Sequence, residues 1–250
     1  MKSLNERQKN ILSLLETNST LEVSALTELL YASAATIRRD LKKLEQNGLI
    51  LRTHGKAVST SRYTGGNTAF DMRMQQALQA KNRIAKACIE SCVHSGDIVL
   101  LDASSTVAHT VEFLSDKNVT VITSGIQTLS LLAKTELDFY STGGRAVKGS
   151  YSLVGQNAIE CTQTFNANVC IVSCHGLSEQ GFACDTSEPE IDLRRAMMKS
   201  AKTKILLIDS TKFSKTYFKN LCHISEFDHV FCDSPLPDCI NVKNLHVIPK

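Results

Sequence analysis

Two groups of residues in this 250-residue chain have types and spacing suited to chemistry. The first runs from Ser33 through Ala35-Thr36-Ile37-Arg38-Arg39-Asp40-Leu41-Lys42-Lys43. On a helix, Ile37, Leu41 and Leu44 stand at i, i+4 and i+7 and turn inward. Thr36, Arg38, Arg39 and Lys43 then face outward. A buried stripe opposed by hydroxyl and guanidinium groups suits a duplex groove, because Arg grips guanine edges or phosphate oxygens with two parallel donors. The plain alternative for an Arg-Arg pair is a solvated charged helix. Position argues against it: the pair opens a third helix, just after a tight turn and before a short β pattern.

The second group lies at the ends of apolar runs. Asp102-Ala103-Ser104-Ser105-Thr106 follows Asp97–Leu101, and Thr123-Ser124-Gly125 follows Val119–Ile122. Thr142-Gly143-Gly144 follows the 137–141 run, Cys174-His175-Gly176 follows Val169–Ser173, and Asp209-Ser210-Thr211-Lys212 follows Lys204–Ile208. Small and hydroxylated residues opening helices can hold a phosphate through free N–H groups and hydroxyls. Asp102, Asp209, Lys212 and Glu190 can engage sugar hydroxyls or a carbonyl. Taken singly, each has a bland explanation: Ser and Thr before helices are ordinary caps, Glu190 complements a helix dipole, and Gly143-Gly144 makes a turn. Their shared place at strand ends favours one phosphosugar pocket, since parallel sheets bind ligands there.

The elements that must position these groups follow from periodicity. Residues 4–17, Glu22–Leu30 and Ala34–Gln46 read as helices, the last capped by Ser33 and stopped at Asn47-Gly48. Leu49–Val58 reads as a hairpin turned at Gly55, carrying Arg52, His54 and Lys56 toward phosphate or the minor groove. That order is a winged helix-turn-helix over residues 1–58. Residues 59–70 read as a linker. Residues 71–250 read as an α/β layered domain. A helix spans about Asp71–Cys92; strands lie at Asp97–Leu101, Val119–Thr123, Leu137–Ser141, Val169–Ser173, Lys204–Asp209, His229–Asp233 and Leu245–Ile248. Helices at Thr106–Leu114, Gly125–Lys134 and Glu190–Ser200 alternate with them, predicting a mainly parallel sheet.

Charge and composition agree. The formal excess of +3 falls wholly within the first 60 residues, where nine basic residues oppose six acidic ones. A basic module for a polyanion joined to a neutral body is the expectation. The nine cysteines include no Cys-x-x-Cys pair and mostly sit in apolar runs, so reduced buried thiols are expected rather than disulfides or a metal site. No apolar run approaches a membrane span and no secretory signal opens the chain, which points to a cytoplasmic protein.

The chain resembles the DeoR family of bacterial transcriptional regulators. Thr36-Ile37-Arg38-Arg39-Asp40-Leu41 and the Leu51–Gly55 wing carry the likeness at the N-terminal end. Leu101–Thr106, Thr142-Gly143-Gly144, Glu190-x-x-x-Arg194-Arg195-Ala196-Met197 and Asp209–Phe213 carry it beyond. The resemblance implies a winged helix-turn-helix followed by a sensor domain similar to ribose-5-phosphate isomerase, in which a phosphorylated sugar alters operator binding. The family's phosphate loop usually reads Asp-x-Gly-Ser/Thr-Thr; Ser104 stands in place of its Gly, and Ser124 where Asn is common. Asp102–Thr106 and Val172-Ser173-Cys174-x-Gly176 look most like the L-fucose operon activator branch, which implies L-fuculose 1-phosphate as effector.

The expected reading is therefore a sugar-operon regulator binding double-stranded DNA as a homodimer or homotetramer, with no catalytic residues, cofactor, metal or membrane partner. DNA contacts fall to Ser33, Ala35, Thr36, Arg38, Arg39, Lys42, Lys43, Arg52, His54 and Lys56. Effector contacts fall to Asp102, Ser104, Ser105, Thr106, Thr123, Ser124, Gly143, Gly144, His175, Gly176, Glu190, Asp209 and Lys212. The runner-up is a sugar-phosphate isomerase with a DNA-binding appendage, using Glu190, Asp102 or Asp209 as base. A constitutive architectural DNA binder comes third; about 190 neutral residues exceed what dimerisation alone requires.

Overall fold

The computed structural model describes residues 4–18, 20–46, 50–53, 56–59, 68–147, 149–237, 240 and 242–249. The chain divides into two compact units, 1–72 and 73–250. Asn47, Gly48, Leu49, His54, Gly55 and residues 60–67 lie outside the described set, so the expectations placed on the turn, on His54 and on most of the linker fall there.

In the first unit, helices α1 (Glu6–Asn18), α2 (Val23–Leu29) and α3 (Ala34–Gln46) precede a hairpin of β2 (Ile50–Thr53) and β3 (Lys56–Ser59). A short strand, β1 (Thr20–Glu22), pairs antiparallel with β3 and makes the wing three-stranded. The sequence shows only a polar break there, because three residues carry no periodicity. Ile11, Leu15, Leu26, Ile37, Leu41, Leu44, Ile50 and Ala57 are all buried in one core.

Helix α4 (Thr68–Gln75) begins inside the expected linker, and β3 ends at its first residue. The single helix expected over 71–92 is instead α4 and α5 (Leu78–Cys92), broken where Ala77 adopts a left-handed φ of 53°. A residue at that φ cannot continue a right-handed helix.

The second unit holds a seven-stranded sheet ordered β15-β14-β12-β9-β4-β5-β6, with every neighbour parallel. Its strands are β4 (Ile98–Leu101), β5 (Thr120–Thr123), β6 (Asp138–Ser141), β9 (Ala167–Val172), β12 (Ala201–Ile208), β14 (His229–Cys232) and β15 (Leu245–Val247). These are the seven runs read from the sequence, with ends shifted by a residue or a few. Side chains alternate between two cores. Val99, Leu101, Val169, Ile171, Ile205 and Leu207 meet α5, while Leu100, Cys170, Val172, Leu206 and Ile208 meet α9 (Gln156–Gln163) and α10 (Glu188–Lys199). Helices on both faces explain why the central strands β4, β9 from Val169 on and the second half of β12 are continuously apolar rather than alternating.

Between β4 and β5 the expected helix over 106–114 is two four-residue helices, α6 (Ser105–Ala108) and α7 (Val111–Leu114). Thr110 N donates to Val107 O at 2.9 Å and its hydroxyl at 2.7 Å, closing the first turn early. α8 (Ile126–Leu132) follows β5. The sequence did not disclose hairpin β7 (Arg145–Val147) and β8 (Ser152–Val154), α9, or the small antiparallel sheet of β10 (Gly176–Leu177), β11 (Phe182–Asp185) and β13 (Lys219–His223). No described helix is long and apolar enough to cross a membrane.

Candidate functional site

Helix α3 is built as a presenting surface. Ser33 Oγ accepts from Thr36 N at 3.3 Å and lies 2.9 Å from Thr36 Oγ1, which fixes the first turn. Ile37, Leu41 and Leu44 are buried, while Ser33, Ala35, Arg38, Arg39, Lys42 and Lys43 are exposed and Thr36 is half-buried. Among the described residues, no carboxylate lies within ion-pair distance of Arg38, Arg39, Lys42 or Lys43. On the wing, Arg52 donates to Arg38 O at 3.4 Å and lies 3.7 Å from Glu45, so it ties the hairpin to α3. Lys56 faces Glu22 at 3.3 Å across exposed β1–β3, a pair that water and salt weaken.

Asp40 has a role that its place in the motif did not disclose. It is buried and accepts from Arg7 Nε at 2.5 Å, Gln8 Nε2 at 2.9 Å and Asn5 Nδ2 at 3.5 Å. Burial alone would raise its carboxyl; the Arg7, Gln8 and Asn5 donors outweigh that and hold it below the usual range. Asp40 thereby pins the presenting helix to α1.

In the second unit, the carboxyl ends of β4, β9 and β12 carry a cluster of two lysines with hydroxyls and a carboxylate. Lys212 Nζ donates to Thr106 Oγ1 at 3.1 Å and Ser173 Oγ at 2.8 Å. Lys81, from α5, donates to Ser105 Oγ at 3.2 Å and to the Arg73 carbonyl. Two ammonium groups thus bracket Ser105-Thr106. Lys81 is only 3% exposed. Its burial, with Lys212 beside it, lowers its amine to about 7, partly opposed by Asp209. Asp209 is buried; its Oδ1 accepts from Thr211, while its Oδ2 has no hydrogen-bond partner among the described residues and lies 3.9 Å from Lys212. A buried carboxylate oxygen in that state is a ready acceptor for a hydroxyl group.

Behind this cluster sits one guanidinium among three carboxylates. Arg194, buried on α10, reaches Asp102 at 2.6 Å, Asp185 at 2.6 Å and Glu190 at 3.5 Å. Asp102 also accepts from Ser104 N and Ser173 N, and Glu190 from Ser152 Oγ. His175 Nδ1 meets Asp185 at 2.8 Å. Burial would raise Asp185, yet Arg194 and His175 hold it well below the usual carboxylate range, and the three acids raise Arg194. Arg73 is near enough for Glu190 and Asp185 to act on it electrostatically.

The remaining sequence candidates hold the scaffold. Thr123 Oγ1 donates to Leu101 O and accepts from Gly125 N, and Ser104 Oγ caps α6 by accepting from Val107 N. Ser124 is buried, with its carbonyl accepting from Leu153 N. Gly143 turns the chain after β6, and Gly144, at φ +106°, leaves no room for a side chain, since a Cβ would lie 2.6 Å from Val154 O. At Gly176 a Cβ would meet Lys215 O at 2.4 Å. Because α6 is one short turn, the expected helix dipole contributes little at Ser104–Thr106, and charge there comes from Lys81 and Lys212 instead. Lys81, Arg73 and Asp185 were missed as site residues. Lys81 does carry a signal: it shares the stripe of Ile84, Ala85 and Cys88, where a solvated lysine would not stand.

Two family descriptions match: "DeoR-like helix-turn-helix domain" over residues 7–63 and "DeoR C terminal sensor domain" over residues 76–234. The L-fucose operon activator of Escherichia coli is 31% identical over 229 residues, spanning 91% of this chain and 94% of the relative. The HTH-type transcriptional repressor GlcR of Bacillus subtilis is also 31% identical, spanning 91% and 88%. A ribose 5-phosphate isomerase A structure from Methanocaldococcus jannaschii superposes with a TM-score of 0.40 at 14% identity, over 53% of each chain. A DeoR helix-turn-helix, a DeoR sensor domain and full-length relatives on both counts make this chain a member of the DeoR family of transcriptional regulators.

Proposed function

We propose that this regulator controls a sugar-catabolic operon, with a phosphorylated sugar in the second unit setting operator affinity. The observation that carries the reading is the pair of ammonium groups, buried Lys81 and half-buried Lys212, on the hydroxyls of Ser105 and Thr106. Their hydrogen-bond partners are neutral, and Asp209, 3.9 Å from Lys212, offsets only part of the two positive charges, so a phosphate fits the charge left over. Asp209 Oδ2 would then accept from a sugar hydroxyl, with Glu190 and His175 bordering the same edge. Thr36, Arg38 and Arg39 enter the major groove, helped by Ser33 and Ala35 at the helix start. Lys42, Lys43, Arg52 and Lys56 neutralise phosphates. One winged helix makes few contacts, so the acting species is a homodimer or homotetramer in the cytoplasm.

L-fuculose 1-phosphate is the first effector to try, and activation of L-fucose use the first role, because of the likeness to the L-fucose operon activator. The isomerase reading is weaker, because Asp102 and Glu190 are engaged by Arg194 and by amide or hydroxyl donors, which removes two of its candidate bases. The test is fluorescence anisotropy of the protein on its own promoter fragment against a scrambled duplex, at fixed salt, across a panel of sugar phosphates. Specific binding shifted by one sugar phosphate is the expected result. Specific binding with no response to any of them overturns the sensor reading.

A further inference from the structure

The last turn of α4 ends against the pocket through three links. Lys81 Nζ, while donating to Ser105, also donates to the carbonyl of Arg73. The His109 ring lies 3.2 Å from the carbonyl of Met74. The Arg73 side chain lies within the field of Glu190 and Asp185. The final carbonyls of a helix have no partner of their own, so groups of this kind decide whether its last turn stays wound. Here the chain turns away at Ala77, and α4 cannot lean on α5 to continue its ladder. α4 is also the element by which the chain passes from the first unit, ending at Met72, into the second.

We propose that Lys81 is the relay of the sensor: an anion at Ser105-Thr106 draws its ammonium off the Arg73 carbonyl and releases the last turn of α4. This rests on reading the pocket as a phosphate site and adds how occupancy leaves it. One ammonium has three donors. In the structure two partners are neutral oxygens, one belonging to the pocket and one to α4. A phosphate dianion outcompetes a carbonyl for that charge, because charge-assisted hydrogen bonds are about twice as strong as neutral ones. Lys212 bonds only pocket hydroxyls, Thr106 and Ser173, among its described hydrogen-bond partners. It therefore contributes to binding but not to release, which separates the two lysines.

Hydrogen exchange of the full-length protein, read at amides 72–78 by mass spectrometry, tests this, with calorimetry on the same samples to report occupancy. The probes are inorganic phosphate and L-fuculose 1-phosphate. In the wild type, either bound probe is expected to speed exchange in 72–78 several-fold. Lys81→Met is expected to exchange fast there without ligand and to gain nothing from it. Lys212→Met is expected to start slow, bind more weakly and still speed up at saturation. Bound probe with unchanged exchange in the wild type, an arm needing no variant, overturns the relay and leaves the pocket standing. Slow exchange in folded, unliganded Lys81→Met overturns the clasp itself. If neither probe binds, the pocket reading falls and the relay falls with it.

Discussion

Replacing Arg194 by Met should unbalance the second unit in a way that acid repairs. Arg194 touches Asp102, Asp185 and Glu190, at 2.6, 2.6 and 3.5 Å, and all four side chains are at most 5% exposed. Removing one partner of a buried ion pair costs about 3–5 kcal/mol. Each carboxylate keeps another donor: Asp102 the Ser104 and Ser173 amides, Asp185 His175, and Glu190 Ser152. The loss should therefore sit near the lower end, about 3 kcal/mol, or roughly 6–12 °C in Tm for a unit of this size. The pH dependence fixes the cause. In the wild type, Asp185 titrates well below its ordinary value of 3.8, so its contribution is fully present above that pH and is lost only in stronger acid. In the variant, Asp185 keeps its burial but loses the Arg194 charge that offsets it, which pushes its carboxyl above its unfolded value. Folded protein then holds more protons than unfolded, and stability falls as pH rises through the shifted value. Circular-dichroism melts of variant and wild type at about pH 5 and pH 8 should show a smaller deficit of the variant relative to the wild type at the lower pH. A deficit below about 1 kcal/mol, or one equal at both pH values, refutes the view that Arg194 is there to neutralise these acids.

Arg38→Ala and Arg39→Ala should each weaken operator binding by about 1–3 kcal/mol if they read bases, whereas Lys43→Ala should lower the salt slope by about 1 with little change in specificity; anisotropy titrations over a salt series distinguish these. Asp40→Ala should cost about 1–3 kcal/mol in the stability of the first unit, because Arg7 and Gln8 lose their buried acceptor, and should weaken DNA binding without touching the exposed face; urea melts and anisotropy on one preparation check both. Phosphate affinity should fall as pH rises from about 7 to 9. Burial, then Lys212 and Arg73, lowers Lys81 to about 7 against the pull of Asp209, and a bound dianion recharges it. Each site occupied above pH 7 thus takes up close to one proton, giving up to about tenfold per pH unit in a range where a phosphomonoester is already doubly ionised. Calorimetry in two buffers of different ionisation enthalpy should show the uptake, and Lys81→Met should abolish it.

The parts of the fold legible in the sequence were those governed by burial on a repeating period. Seven runs became the seven parallel strands; β4, β9 from Val169 on and the second half of β12 are apolar at successive positions because both faces are covered, while edge strand β6 is exposed throughout. The helix order of the first unit was legible through the stripe of Ile37, Leu41 and Leu44. Breaks set by single residues were not. Ala77 is a strong helix former that adopts φ 53° here, and Thr110 ends α6 through a hydroxyl bond that no pattern announces. The site divided along the same line. Strand ends located Ser105, Thr106, Asp209 and Lys212, since chain order dictates which residues follow a strand. The partners of Arg194 come from β4, β11 and α10, and only the folded chain brings them together.

The alternation along β12 constrains how this sequence can change length. Ile205 and Leu207 belong to one core, Leu206 and Ile208 to the other, and Asp209 follows at once. Deleting a single codon within 204–208, with the strand's start held in register, would send every side chain after the deletion to the opposite layer and withdraw Asp209 and Lys212 from the rim by one pleat. Substitutions among Ile, Leu and Val would be absorbed at those same positions. A deletion scan and a substitution scan across β12 should therefore give opposite tolerance maps, and indels that survive in descendants of this gene should skip the strand altogether.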